Sequence, residues 1–453
     1  MLRHLGPALV MALLTDVAPA LAQPVAPPRT PGSVFGGETG RKARETVDVS
    51  ASLVYAHDSD TPAEFQGVIG SDVLGGRSTL FNAGAEYKWE GSRVQVGATG
   101  ASVLRHYSEI DDGTISGSAG LGVSARLGSR TALSANQSLA YAPSYLYGLF
   151  PSTQSDTPGQ PTTPAPAPDY ALDDTASYNY GTTVSLTHGL SRRSRVSASG
   201  EYHVTDFLRE TQGRRDLNVG TARGDFGTNV TRHVEIRAGY HYRTGSFAYA
   251  GALASGADAS STEHGLDLGV EYSRPVSASR RMVFAFEFGP ATTTIPVTTI
   301  SGTTTSSITT TDERVLRYTS DGSVTWEFSR SWNTRIAARR SLEYIAQLAE
   351  PVFVDGVSAE VGGVLSSRLD VQGALRYSNG ASASTAGALK FDTYSAETLA
   401  RYGLSPSLAL YVQYVYYFYD FQQKTGLPGG LPPSLERNGI RVGVTVWASP
   451  LRR

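Results

Sequence analysis

Cysteine is absent from the 453-residue chain, so neither a disulfide framework nor a thiolate metal site is open to it. No stretch approaches the roughly eighteen consecutive apolar residues that a membrane-spanning helix needs. Charge of one sign is also lacking: the formal net charge is -2, and Lys and Arg gather on no single segment, which leaves nucleic acid an unexpected partner. Patterns that carry chemistry are equally scarce. The eight His residues show no H-E-x-x-H and no paired zinc spacing, no G-x-S-x-G elbow occurs, and Gly120, Gly122 and Gly128 precede no helix that could cradle a phosphate. The expectation is a protein without metal, cofactor or enzymatic activity.

What the chain has in quantity is a period-two alternation. In residues 263 to 272, Glu263, Gly265, Asp267, Gly269 and Glu271 alternate with His264, Leu266, Leu268, Val270 and Tyr272. Side chains of a strand point alternately to its two faces, so the segment carries one polar and one apolar wall. The same reading places strands near 46–56, 78–90, 93–105, 114–127, 131–142, 177–188, 194–206, 215–228, 233–243, 262–273, 281–290, 314–328, 332–344, 357–365, 368–377, 390–402, 407–419 and 437–447. Short connections, at Gly91, Ser129, Gly189, Arg232, Ser277, Arg330, Ser367 and Ser405, take turns with longer ones rich in Pro, Thr, Asp and Gly. An all-β fold is expected: an up-and-down antiparallel transmembrane β-barrel of about 18 strands (range about 16–18), with short periplasmic turns and long extracellular loops.

The ends and loops fit that plan. Arg3 and His4, the apolar run Leu5 to Leu14, and Ala20, Leu21 and Ala22 before Gln23 have the form of a signal peptide over 1–22. Residues 23–44 then read as a periplasmic leader and 45–453 as the barrel domain. The Pro-rich segment 150–169 and the Thr-rich run from Thr292 to Thr311 lack the apolar content of a core and are expected to be extended or mobile.

Turned inside out, the same alternation would describe a soluble barrel or sandwich, and the aromatics argue against that. Tyr87, Trp89, Trp326 and Trp332 cluster at the short-turn rim, and Tyr240, Tyr242, Tyr416 and Phe418 at the other, as expected of two girdles at headgroup level. The polar face then lines a lumen, with Arg93, Arg195, Glu235, Arg237, Glu263, Asp267, Glu271, Arg317, Arg335, Arg339, Asp370, Arg376, Glu397 and Arg401 as candidate pore-lining residues. Arg335 with Arg339 is the anion-attracting candidate and the acidic wall of Glu263, Asp267 and Glu271 its expected counterpart across a constriction, a charge filter of the kind channels use. Structural pairing among these charges is the plainer alternative for any one of them. Two places fit poorly: Arg340 falls on the lipid-facing side, and near 215–228 Arg223 shares a face with Leu217 and Val219.

These features together resemble the bacterial outer-membrane porin-like β-barrels of Gram-negative bacteria. The final strand, with Arg441, Gly443, Val444, Val446 and Trp447, approximates that family's insertion signal, although Trp447 is followed by Ala448 to Arg453. The resemblance implies outer-membrane lipid as surroundings, the barrel-insertion machinery as an assembly partner, and passive diffusion of small polar solutes as the activity. It leaves monomer and homotrimer open. It also implies a third extracellular loop folded into the lumen, which here is about 143–176 and carries Asp169, Asp173 and Asp174. The competing functions are a non-conducting structural or surface-assembly barrel, for instance a partner in polysaccharide export, and an adhesin using the long loops.

Overall fold

The computed structural model describes residues 43–59, 76–108, 112–142, 176–208, 216–247, 259–277, 280–301, 307–329, 331–345, 348, 350–384, 389–422 and 433–453. The expected signal peptide, the leader up to residue 42, and the third loop with its three aspartates lie outside them. Eighteen strands follow in order: β1 (Glu45–Asp58), β2 (Gly76–Glu90), β3 (Val94–Tyr107), β4 (Asp112–Arg126), β5 (Thr131–Ala142), β6 (Ser177–Gly189), β7 (Ser194–Phe207), β8 (Leu217–Asn229), β9 (Val234–Phe247), β10 (Ala259–Ser277), β11 (Arg280–Ser301), β12 (Ser307–Glu327), β13 (Asn333–Tyr344), β14 (Pro351–Ser366), β15 (Leu369–Ser382), β16 (Lys390–Ser405), β17 (Leu408–Phe421) and β18 (Ser434–Arg452). Each pairs antiparallel with its neighbours in sequence, and β1 pairs with both β2 and β18, which closes the sheet.

The tight turns are written in small polar residues. Ser191 Oγ accepts from the backbone amides of Arg193 and Ser194, Thr231 Oγ1 does the same for His233 and Val234, and Ser329 Oγ for Ser331 and Trp332. A hydroxyl that bonds two residues ahead imitates a backbone turn. Gly128 sits at φ 144°, a conformation L side chains rarely adopt, and turns the chain from β4 to β5.

One face of nearly every strand carries exposed apolar side chains, such as Leu53 and Tyr55 on β1, Leu266 and Leu268 on β10, and Phe284, Phe286 and Phe288 on β11. A contiguous apolar exterior of this extent meets hydrocarbon, and closure leaves no unpaired edge within it. The barrel is transmembrane. Replacing Leu268 with Arg is expected to cost about 2–4 kcal/mol of stability near the bilayer midplane, measured by denaturant unfolding of vesicle-refolded protein. An unchanged midpoint would mean that this face does not meet lipid.

Three expectations are corrected. The Thr-rich run is extended, as one of its two expected states, but as strand: β11 and β12 stay paired out to Ser301 against Ser307, well past the expected strand ends at 290 and 314, as β-branched residues favour, while 302–306 lie outside the described residues. Arg93 lies in the exposed turn between β2 and β3 rather than within a strand. Trp447 does not end the last strand, because β18 runs on to Arg452 against Thr46, and Trp447 falls on the inward face opposite Ser50.

Candidate functional site: the lumen and its infolded tip

Between the charged ends of β4, Asp112 and Arg126, the inward positions on β4 to β6 are small and uncharged: Thr114, Ser116, Ser118, Gly120, Gly122 and Ser124 on β4, Ser134, Asn136 and Ser138 on β5, and Asn179, Gly181, Thr183, Ser185 and Thr187 on β6, whose pairings place them on one face. From β7 to β11 charged side chains stand among the inward positions below the long-loop end, and they meet one another in tiers. Nearest the tight turns, Glu235 Oε1 takes Arg195 Nη2 at 2.6 Å and Arg237 Nε at 2.9 Å, while Arg237 also pairs with Glu271. Above them, Arg223 reaches Asp225 at 2.9 Å, Glu287 at 2.6 Å and Asp267 at 3.7 Å. Higher still, His241 stands between Asp267 (Nδ1, 2.7 Å) and Glu263 (Nε2, 3.2 Å). Both ring nitrogens face carboxylate oxygens, so the ring can donate on both sides only as imidazolium. Within these three tiers six carboxylates meet three guanidiniums and one imidazole.

The remaining sequence candidates are also drawn into pairs. Arg339 meets Glu343 at 3.3 Å, Arg376 meets Glu360 at 3.3 Å, Arg401 meets Asp370 at 2.9 Å, Glu397 accepts from Gln413 Nε2 at 2.6 Å, and Arg317 lies 5.4 Å from the centre of the Phe353 ring. Arg335 is inward on β13, paired in register with Thr325 and Glu360. Arg335 and Arg339 on β13 stand only three strands from β10, on the same side of an 18-stranded ring, so they do not oppose the acidic wall across the lumen. Of the girdle residues, Tyr87, Trp89, Trp326, Tyr240, Tyr242, Tyr416 and Phe418 have outward register, whereas Trp332 precedes β13 and donates its indole N–H to the Val364 carbonyl at 2.9 Å.

The feature missed in the sequence is at the long-loop end. The β12–β13 ladder stops at Ser320 and Arg340, while β13 and β14 remain paired to Tyr344 and Pro351. From there the β13–β14 hairpin turns into the lumen. Leu342, Tyr344 and Phe353 hold outward register, yet they are buried with the inward residues Phe207, Leu217, Val219, Phe247, Ile295 and Val315 of β7, β8, β9, β11 and β12. On the hairpin's other side, Ile345, Leu348, Val352 and Val354 pack with Phe391, Tyr419 and Phe421 of β16 and β17. None of the three buried apolar clusters draws a member from β4, β5 or β6.

Both sequence anomalies resolve here. Leu217 and Val219 share the inward face with Arg223 because they form part of the hairpin's seat. Arg340 marks the point of departure, where its guanidinium pairs with Asp355 across the ladder at 3.4 Å. Glu350, within the connection, accepts from Ser382 Oγ at 3.0 Å, and burial pushes its carboxyl above the usual carboxylate range against that bond. The Tyr419 hydroxyl is buried in the second cluster with no hydrogen-bond partner among the described residues, a cost of about 1–3 kcal/mol that the surrounding packing must exceed.

The molecule is a closed, porin-like β-barrel. Its sequence matches no family model and no curated protein. Among solved structures it is similar to OpdL of Pseudomonas aeruginosa, at 12% identity over 90% of this chain and 99% of that one, with a TM-score of 0.37. It is similar to Acinetobacter baumannii OccAB4 at 11% identity over 91% and 100% of the two chains, TM-score 0.40. It is also similar to the ferric-catecholate import receptor Fiu of E. coli K12, at 10% identity over 89% and 81%, TM-score 0.42. At these identities and scores the likeness is one of barrel architecture alone.

Proposed function

We propose that the protein is a channel of a bacterial outer membrane through which small polar solutes diffuse passively, reached by secretion with removal of residues 1–22. One observation carries this reading: eighteen strands enclose a lumen whose wall from β4 to β11 is hydroxylated or ion-paired below the infolded hairpin. A ring of about sixteen to eighteen strands leaves room for an aqueous channel, where about eight strands would be filled by their own side chains. The charges are largely engaged with one another, which favours solutes recognised by polarity and size over a tightly bound ion.

Purified protein refolded into planar bilayers is expected to give discrete conductance steps. A tight seal at all voltages would defeat this reading. It would support instead a non-conducting surface-assembly barrel, which the apolar filling between β7–β9 and β16–β17 favours. Insertion by the barrel-assembly machinery and the number of copies per channel belong to the same proposal, and deletion of residues 150–169 should change conductance only modestly in an open pore.

A further inference from the structure

A strand that leaves a barrel wall carries a problem with it. Beyond Arg340, β13 has β14 on one side and no ladder with β12 on the other, so its second edge directs backbone groups toward the lumen. Leu342 is fully buried on that stretch, out of reach of water. Unpaired backbone groups in such surroundings are costly, and bare edges accept whatever register they are offered.

One side chain answers both difficulties. Arg243, inward on β9, donates through Nη1 to the Leu342 carbonyl, pairs through Nη2 with Glu343 Oε2 at 3.4 Å, and places its guanidinium carbon 5.1 Å from the centre of the Tyr344 ring. It therefore reads three consecutive residues of the hairpin. The neighbouring wall is shaped for the same approach. A Cβ on Gly245 would lie 2.2 Å from the Tyr344 ring, so only glycine admits it, and Ser261 Oγ donates to the Tyr344 hydroxyl at 3.0 Å. The apolar clusters on either side attract the hairpin without direction, since apolar burial is proportional to area and indifferent to register. A planar guanidinium with fixed donors supplies direction, and a lysine in its place could satisfy only part of the set.

We infer that Arg243 is the positioning residue of the infolded hairpin: it fixes where the β13–β14 segment stands in the lumen, and through it the width left for passage. The claim about passage rests on the channel reading, whereas the claim about the hairpin does not.

The absence of native cysteine makes a clean reporter available. Leu342→Cys, whose loss of packing is then common to every protein compared, is introduced alone, with Arg243→Met and with Arg243→Lys, and each protein is refolded into phospholipid vesicles and treated with a water-soluble maleimide. With Arg243 present, labelling should be slow. Arg243→Met should speed it by about ten- to a hundredfold, the equivalent of one lost charge-assisted hydrogen bond, with Arg243→Lys in between. Equal rates in all three would overturn the assignment, as would a rate in Arg243→Lys equal to the parent's if Arg243→Met fails to refold. In planar bilayers the Arg243→Met protein should also pass a larger single-channel current than the parent. Unchanged current with faster labelling would overturn only the link to passage, and a silent parent would defeat the channel reading while leaving the labelling result in force.

Discussion

Arg401→Met is expected to lower stability by about 3–5 kcal/mol, the cost of leaving one partner of a buried pair behind. Asp370 and Arg401 are directly opposed on β15 and β16, and Arg401 Nε meets Asp370 Oδ1 at 2.9 Å. The carboxylate is fully buried, so losing the guanidinium removes a charged partner where water cannot take its place. Removing both charges, as Asp370→Leu with Arg401→Met, should recover most of the loss, because the pair's own desolvation offsets much of its attraction. Guanidinium unfolding in phospholipid vesicles measures both. A single-variant loss below about 1 kcal/mol would match a solvated surface pair and would show that water reaches Asp370.

Leu342→Ala is the second large effect, expected at about 2–5 kcal/mol, the range for a buried Leu whose surroundings cannot collapse onto the gap. Leu342 is fully buried, and its neighbours Phe207, Phe247 and Phe353 come from strands fixed in the wall or paired in the hairpin, so little can move inward to replace it. The loss should appear as a smaller unfolding free energy in vesicles. If the variant matched the parent, the hairpin would not be packed against β7 to β9, and the lumen at that end would have to be described afresh.

The strands were legible because period two is a local property: each needs only about ten residues to declare its two faces, and all eighteen appear within a few residues of where alternation puts them at most ends. The upper ends of β11 and β12 were set too short because their threonines were weighed by their polarity rather than by their branching. The infolded hairpin was not legible, since what holds it joins residues about a hundred positions apart, as Arg243 with Leu342 and Glu343. No periodicity encodes such a pairing. Its traces were nevertheless present as lapses. Arg340 faced the wrong way, Leu217 and Val219 shared a face with Arg223, and from Tyr414 to Tyr419 apolar or aromatic side chains occupy both faces of β17. Each lapse lies where the inner wall receives an apolar neighbour. The charged candidates were placed on the correct face by alternation, but their local partners, and so the loss of any simple opposition across the lumen, required the register of neighbouring strands.

The seam between β1 and β18 has a consequence for how the molecule comes into being. Glu45 and Arg453 exchange backbone hydrogen bonds at 2.9 Å in both directions, so the first residues of the sheet wait for the very last before their outer side is satisfied. Sixteen intervening strands can zip sequentially by near neighbours, yet the circle seals only on arrival of the far end, the slowest sort of encounter for a polymer. Until then two raw margins would face fatty acyl chains, so the bilayer cannot be a place of gradual completion. Assembly of this chain must bring head and tail together before, or at the moment of, release into the membrane.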